Sequence, residues 1–259
     1  MPATPPAPAA MPATPPVPAA LWLVRHAESE GNVADASATR DRAQRLDLPA
    51  RDPDVRLSRT GCEQADSLGR SWRDLPADQR PDVVLSSPYE RALGTAERAL
   101  AAAGWQDVGI RRDERLRERD LGLLDGFTKS GIESRFPEEA QRRAWLGKFY
   151  YRPPGGESWA DVAGRVRAVV EMVGGRYAGR RVVVVSHQAV LMLFRYVLED
   201  LDEAAVLGLD ATERLPNTGV VRYRFQDDVP VLEAADDTTH LQGRDVPVTK
   251  EPAADAVHR

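Results

Sequence analysis

Cysteine is almost missing from this chain of 259 residues: Cys62 stands alone, which excludes an internal disulfide and any cysteine-rich metal centre. A reducing, cytoplasmic setting is therefore expected. Long apolar runs are missing too. A bilayer crossing needs roughly 18 to 20 apolar residues, whereas candidates such as LWLV and VVVV are strand-sized. A secretory leader is not expected either, because the first charged residue is Arg25 and the stretch before it is broken by proline. Lysine is scarce, with only Lys129, Lys148 and Lys250 among 35 basic residues. An arginine in such a chain is informative only where its position adds something. Histidine occurs four times and asparagine twice, at Asn32 and Asn217.

What charge there is lies unevenly. The formal net of -5 arises wholly from residues 226–259, which hold 3 basic and 8 acidic side chains; the 225 residues before them hold 32 of each. A neutral body without a basic run gives no reason to expect a nucleic-acid partner, and no segment suggests a membrane partner. Nothing in the pattern fixes an oligomeric state.

The first twenty residues are a tandem decamer, MPATPPAPAA then MPATPPVPAA. Rich in proline and free of charge, residues 1–19 are expected to form a disordered or polyproline-like tail. Residues 242–259 are expected to form a disordered acidic tail, leaving one domain over 20–241. Within it, short apolar runs alternate with helical periods. Strands are expected at 21–24, 83–85, near Ile110, at 181–185 and at 218–225. Helices are expected from Ser58 to Trp72 with a capping box at Thr60 and Glu63, and from Ser87 to Ala103 with one at Ser87 and Glu90. Two more fit Ser158 to Tyr177 and Ala189 to Leu198. This alternation specifies a three-layer α/β/α sandwich around a mostly parallel sheet.

In such sheets chemistry gathers beyond the carboxyl ends of the strands. LWLV runs into Arg25 and His26, DVVLSS into the helix carrying Arg91, and VVVVS into His187 and Gln188. Three strand exits thus deliver two arginines and two histidines to one edge.

These residues stand in ordered blocks: RHAESEGN at 25–32, LSRTGCEQA at 57–65, SSPYERALGTAE at 86–97, LRERDLGLLDG at 116–126, PPGGESWADV at 153–162 and VVVVSHQAV at 182–190. Together they resemble the histidine phosphatase superfamily, also called phosphoglycerate mutase-like, over nearly all of residues 20–241. The resemblance implies the phosphoglycerate mutase-like sandwich, with a helical lid built from residues 28–57 and 125–156. Six aromatic residues between Phe127 and Tyr151 are expected to form mostly the lid's own small core.

It also implies a metal-independent phosphomonoesterase, akin to histidine acid phosphatases, acting without a cofactor on a small phosphorylated metabolite or a phosphoprotein. A phosphoryl group in transfer needs an in-line nucleophile and cationic donors around its equatorial oxygens. His26 is the expected nucleophile, Arg25 and Arg91 the clamps, and His187 a further donor. Asn32 is expected to donate an amide hydrogen to the same phosphate. The charge run RDERLRERD by itself leaves Glu114, Glu118 and Asp120 open as the general acid; the family register selects Glu118. His240 is expected to make a structural hydrogen bond. Two family glycines are replaced, by Ala27 and Gln188. Ala27 is tolerable if its φ stays negative, and Gln188 is expected to reach the pocket and shape substrate choice.

Mutases of this family usually carry Trp where Gly31 stands, so a phosphatase is favoured over a phosphoglycerate mutase. A non-catalytic phospho-ligand binder is the third reading. Such a module would need neither a nucleophile nor an acid.

Overall fold

β-Branched and aliphatic residues dominate β1 (Ala20–Arg25), β2 (Val83–Ser86) and β4 (Arg181–Ser186), which pair in parallel, and the short β3 (Ile110–Arg112) adds to β2 in the same sense. Two more strands, β5 (Val220–Gln226) and β6 (Val229–Asp237), run antiparallel at one edge, giving the order β3-β2-β4-β1-β5-β6. The computed structural model describes residues 17–242 and 245–250. The proline-rich repeat up to residue 16, and residues 251–259, lie outside the described residues.

Helices cover both faces of the sheet. α2 (Arg59–Arg73) and α3 (Glu90–Ala103) pack on one side, where Leu68, Trp72, Ala96 and Leu100 meet Val24, Val84, Val183 and Val185. α6 (Trp159–Arg176), α7 (Gln188–Leu198) and α8 (Glu203–Thr212) cover the other, where Val162, Val166, Leu191 and Phe194 meet Leu21, Leu23, Val182 and Val184. Successive strand residues face opposite layers, which is why the central strands read as unbroken apolar runs. The expected three-layer sandwich is the architecture found. Among the described residues, no helix is long and apolar enough to cross a membrane.

Register sets the functional edge. Arg25 lies opposite Ser186, and Ser86 opposite Val185, so β1, β4 and β2 end level with one another. The next residue on each strand, His26, His187 and Ser87, therefore emerges side by side. Backbone bonds hold two of these exits, from His26 N to Ser186 O (2.9 Å) and from Ser87 N to Val185 O (3.0 Å).

Local details depart from the sequence reading. The N-cap of α2 is Ser58, whose hydroxyl accepts from Gly61 N, so Thr60 and Glu63 form no capping box. α3 starts at Glu90 behind Tyr89 with no side-chain cap among the described residues; the Ser87 hydroxyl instead accepts from Tyr89 N (3.3 Å) and meets His187 Nε2 (2.8 Å). Strand β6 was not anticipated: its acidic residues and Pro230 suit a solvent-facing edge strand and conceal the pattern. A two-residue turn at Asp227 and Asp228, both with positive φ, folds it back on β5.

The two insertions meet over the carboxyl edge. The first contains α1 (Glu30–Arg40) and a short 3₁₀ turn at Asp52–Asp54; the second contains α4 (Lys129–Arg135) and α5 (Pro137–Tyr150). They are stitched together by Thr128 N to Gln44 O (3.1 Å), Leu46 N to Gly126 O (3.0 Å) and the Arg45 guanidinium 4.3 Å above the Phe127 ring. Their aromatic residues do not form one lid core. Phe127 and Phe136 pair edge to face, Phe149 joins the main core beside α6 and α7, and Trp145 is exposed.

Candidate active site

His26 is buried, with its Nδ1 2.8 Å from the Ala27 carbonyl. A carbonyl only accepts, so Nδ1 carries the proton and Nε2 keeps its lone pair. Burial and the charges of Arg91 and Arg25 hold this imidazole well below its usual pKa of 6.5. The site thus presents a neutral nitrogen base in a fixed tautomer. Ala27 lies outside the positive-φ residues, and its N–H donates to Thr95 Oγ1 (2.9 Å), so a methyl fits where the family has glycine.

The His187 ring centroid lies 5.1 Å from that of His26. His187 is the N-cap residue of α7 and fully buried, with Nε2 2.8 Å from the Ser87 hydroxyl. Its Nδ1 is buried and has no hydrogen-bond partner among the described residues. The Tyr89 ring packs against its edge at 5.3 Å. Burial first, then the charge of Arg91, lowers the His187 pKa well below 6.5 as well.

Arg25 has no solvent exposure, and its Nη1 donates to Leu215 O (2.6 Å). Arg91, on the first turn of α3, is almost as buried, and its fork is held by Asp52 of the first insertion. The charges of both cations act on both imidazoles, lowering each pKa.

Asn32 caps its own helix. Ser29 is the N-cap of α1, and Ser29 N donates to Asn32 Oδ1 (3.0 Å) while Asn32 N donates to Ser29 Oγ (3.2 Å). Asn217 Nδ2 also donates to that oxygen (3.3 Å), so the amide's orientation is set from two sides.

Glu118 lies on the segment after a 3₁₀ turn at Glu114–Leu116, partly buried. Ser186 Oγ ties this segment to the end of β4 through Leu116 O (2.8 Å), and Arg165 Nη2 donates to Glu118 O (3.2 Å). One side-chain oxygen of Glu118 accepts from Arg119 N (2.8 Å). Beside it, Arg119 is desolvated and faces the charge of Arg143, which together bring its pKa down to about 10.

Gln188, expected to reach the pocket, instead gives its amide nitrogen to Asp210 Oδ1 (3.2 Å). Asp210 also pairs with the Lys148 ammonium, so Gln188 links α7 to α8 and α5. Among the described residues, no group of three or more His, Cys, Asp or Glu is placed to hold a metal ion.

Several residues that build the site were not anticipated. Asn217 is buried and donates to His26 O (3.0 Å). Thr218, in the left-handed region at φ 57°, donates its N–H to Arg25 O (3.2 Å) and its hydroxyl proton to Asn217 O (2.7 Å), so its hydroxyl oxygen accepts from His240 Nε2 (2.9 Å). His240 therefore has the structural bond expected of it. The rarity of asparagine and the Pro-Asn-Thr-Gly turn before β5 were the available signals for Asn217.

Comparison with known proteins shows the family. The family model for the histidine phosphatase superfamily (branch 1) matches residues 21–238, and the chain belongs to that superfamily. It is 35% identical over 214 residues to a 2,3-bisphosphoglycerate-dependent phosphoglycerate mutase of Methylobacterium radiotolerans, covering 82% of this chain and 92% of the relative. A mutase of the same name from Rhizobium meliloti is 30% identical, with 76% and 87% covered. Among solved structures, YhfR of Bacillus stearothermophilus superimposes with a TM-score of 0.68 at 26% identity, over 86% of this chain and 99% of that one. A mycobacterial glucosyl-3-phosphoglycerate phosphatase bound to inorganic phosphate gives 0.65 at 25%, with 85% and 98% covered. Mutases and phosphatases both stand among these relatives, so the direction of transfer must be argued from the residues.

Proposed function

We propose that the protein is a metal-independent phosphomonoester hydrolase that passes through a phosphohistidine at His26. The observation that carries this reading is the His26 tautomer, with a proton fixed on Nδ1 by Ala27 O and a neutral Nε2 beside buried cations. Nε2 attacks phosphorus as the ester P–O bond breaks; Glu118 gives its proton to the leaving oxygen. Arg25, Arg91 and His187 hold the three equatorial oxygens, and Asn32 adds an amide hydrogen. In the second half, Glu118 takes a proton from water as the water oxygen attacks phosphorus. The P–N bond breaks, orthophosphate leaves, and both groups return to their starting states.

Hydrolysis rather than mutase transfer is supported by Gly31, standing where mutases of this family usually carry Trp. The substrate class is a small phosphorylated metabolite. Arg119 and Arg143 near Glu118 suit an ester whose remainder is itself anionic, as in the mycobacterial phosphatase named above. A single cysteine and the lack of a membrane-crossing helix among the described residues accord with work in the cytoplasm.

The test is phosphate release from p-nitrophenyl phosphate and a panel of phosphomonoesters, run beside 3- to 2-phosphoglycerate interconversion, with His26→Ala as control. Release without bisphosphoglycerate, lost in the control, is expected. Interconversion strictly dependent on that cofactor would make the protein a mutase, and no difference from the control in either assay would make it a binding module.

A further inference from the structure

Arg91 already holds an anion. Its Nη1 lies 2.9 Å from Asp52 Oδ1 and donates to Asp52 O (2.7 Å), and Nη2 reaches Asp52 Oδ2 (3.3 Å). Both carboxylate oxygens thus occupy the fork that a phosphoryl group requires. The partners differ in exposure, with the Arg91 side chain 7% exposed and that of Asp52 37%. A desolvated guanidinium is costly to leave bare, whereas a carboxylate at the rim can return to water.

Other charges crowd the same place. The Tyr89 ring lies 5.1 Å from the Arg91 guanidinium, and its phenol is pushed up to about 12, by burial and then by the charge of Asp52. Asp125 is raised by burial and by Asp52 and Asp120. Arg117, the other cation felt at Tyr89, is itself paired with Glu157. Both terminal nitrogens of Arg91 are thus engaged by Asp52.

We propose that Asp52 is a positioning residue that acts through Arg91 as an internal stand-in for the phosphoryl group. It keeps the guanidinium aligned while the site is empty, leaves when the substrate phosphate enters, and competes with orthophosphate afterwards so that product departs. The 3₁₀ turn that carries it lies between α1 and α2 and is tied on one side by Leu46 N to Gly126 O (3.0 Å) and on the other by Glu30 N to Arg56 O (2.9 Å), so rotation of the side chain alone can release the carboxylate while the turn and both helices stay in place. This role is built on the phosphoryl-binding reading of the site but not on turnover.

The experiment is titration of the full chain with orthophosphate by calorimetry, comparing wild type, Asp52→Asn and Asp54→Asn. Asp54 sits on the same turn and pairs outward with exposed Arg51 (2.7 Å), so it controls for loss of one negative charge. Asp52→Asn should bind orthophosphate about tenfold more tightly, as one partly exposed competing charge would dictate, and Asp54→Asn should match wild type. Equal or weaker binding by Asp52→Asn, or equal gains in both variants, would overturn the role. If no phosphomonoester is turned over yet Asp52→Asn alone binds phosphate more tightly, the hydrolase reading falls and this one stands. Where turnover is measurable, Asp52→Asn should lower KM and the orthophosphate inhibition constant together without raising kcat.

Discussion

A histidine can serve as nucleophile only while it is neutral, and both His26 and His187 are kept so by burial and by two arginines. Each imidazole binds its proton in the unfolded chain near pH 6.5 but in the folded chain only well below that. The unfolded state therefore gains protons first, and stability is lost as pH falls below about 6.5. Thermal melting should show this decline between about pH 6.5 and 5, and His187→Asn should flatten it; an unchanged slope would mean that His187 titrates normally. Glu118 makes a separate prediction. Glu118→Gln should slow alkyl phosphates by about a hundredfold or more but p-nitrophenyl phosphate far less, since only the poorer leaving group needs the proton. Equal losses on both would remove Glu118 from the acid role. Arg25, His26, Arg91 and His187 were legible in the sequence because each follows a strand exit. Asp52, Ser87 and Asn217 were not. Their partners are Arg91, His187 and His26, far away along the chain, and Ser87 carried a local capping signal that pointed elsewhere.

At the scale of elements, the strand exits are fixed by register and the loops between them by close backbone approach. Gly61, in the first turn of α2, is the tightest such contact at the site: a Cβ there would lie 1.9 Å from Glu28 O. The same loop is tied to α2 by Glu28 N donating to Gln64 Oε1 (2.9 Å). Gly61→Ala should therefore cost about 2 kcal/mol or more and lower kcat by shifting the segment after His26. Urea denaturation and steady-state kinetics would check both effects, and a variant as stable and active as wild type would show that α2 can move aside freely. The sheet was readable because its central strands are buried on both faces, while β6 was missed because edge position lets it carry proline and acid. Helix existence was read better than helix starts. Several residues compete for each cap, and tertiary contacts decide which one serves.

For the whole molecule, net charge proves a poor guide to the ligand. The acidic excess belongs to the last 34 residues, while the carboxyl edge of the sheet gathers arginines around two neutral imidazoles. Part of that acidic end nonetheless returns to the site. Asn217 N donates to Thr249 O (2.9 Å), Thr249 Oγ1 donates to Asn217 Oδ1 (3.0 Å), and Gln64 Nε2 donates to Pro247 O (2.9 Å). Composition alone assigned these residues to a tail, and their hydrogen bonds, made to side chains some 30 and 180 positions away, left no local pattern to read. Removing residues 245–259 should destabilise the fold by about 2 kcal/mol, or several degrees in Tm, and weaken activity through Asn217. An unaltered Tm would leave this segment no structural part.

A phosphohistidine at His26 can be trapped. The full chain, mixed with a turned-over phosphomonoester and quenched in denaturing base to preserve a P–N bond, can be digested and its peptides sequenced by mass spectrometry. One phosphoryl group is expected, on the imidazole of His26, and none in His26→Ala. Turnover with no phosphorylated peptide, or with the phosphoryl group on any other residue, would contradict it.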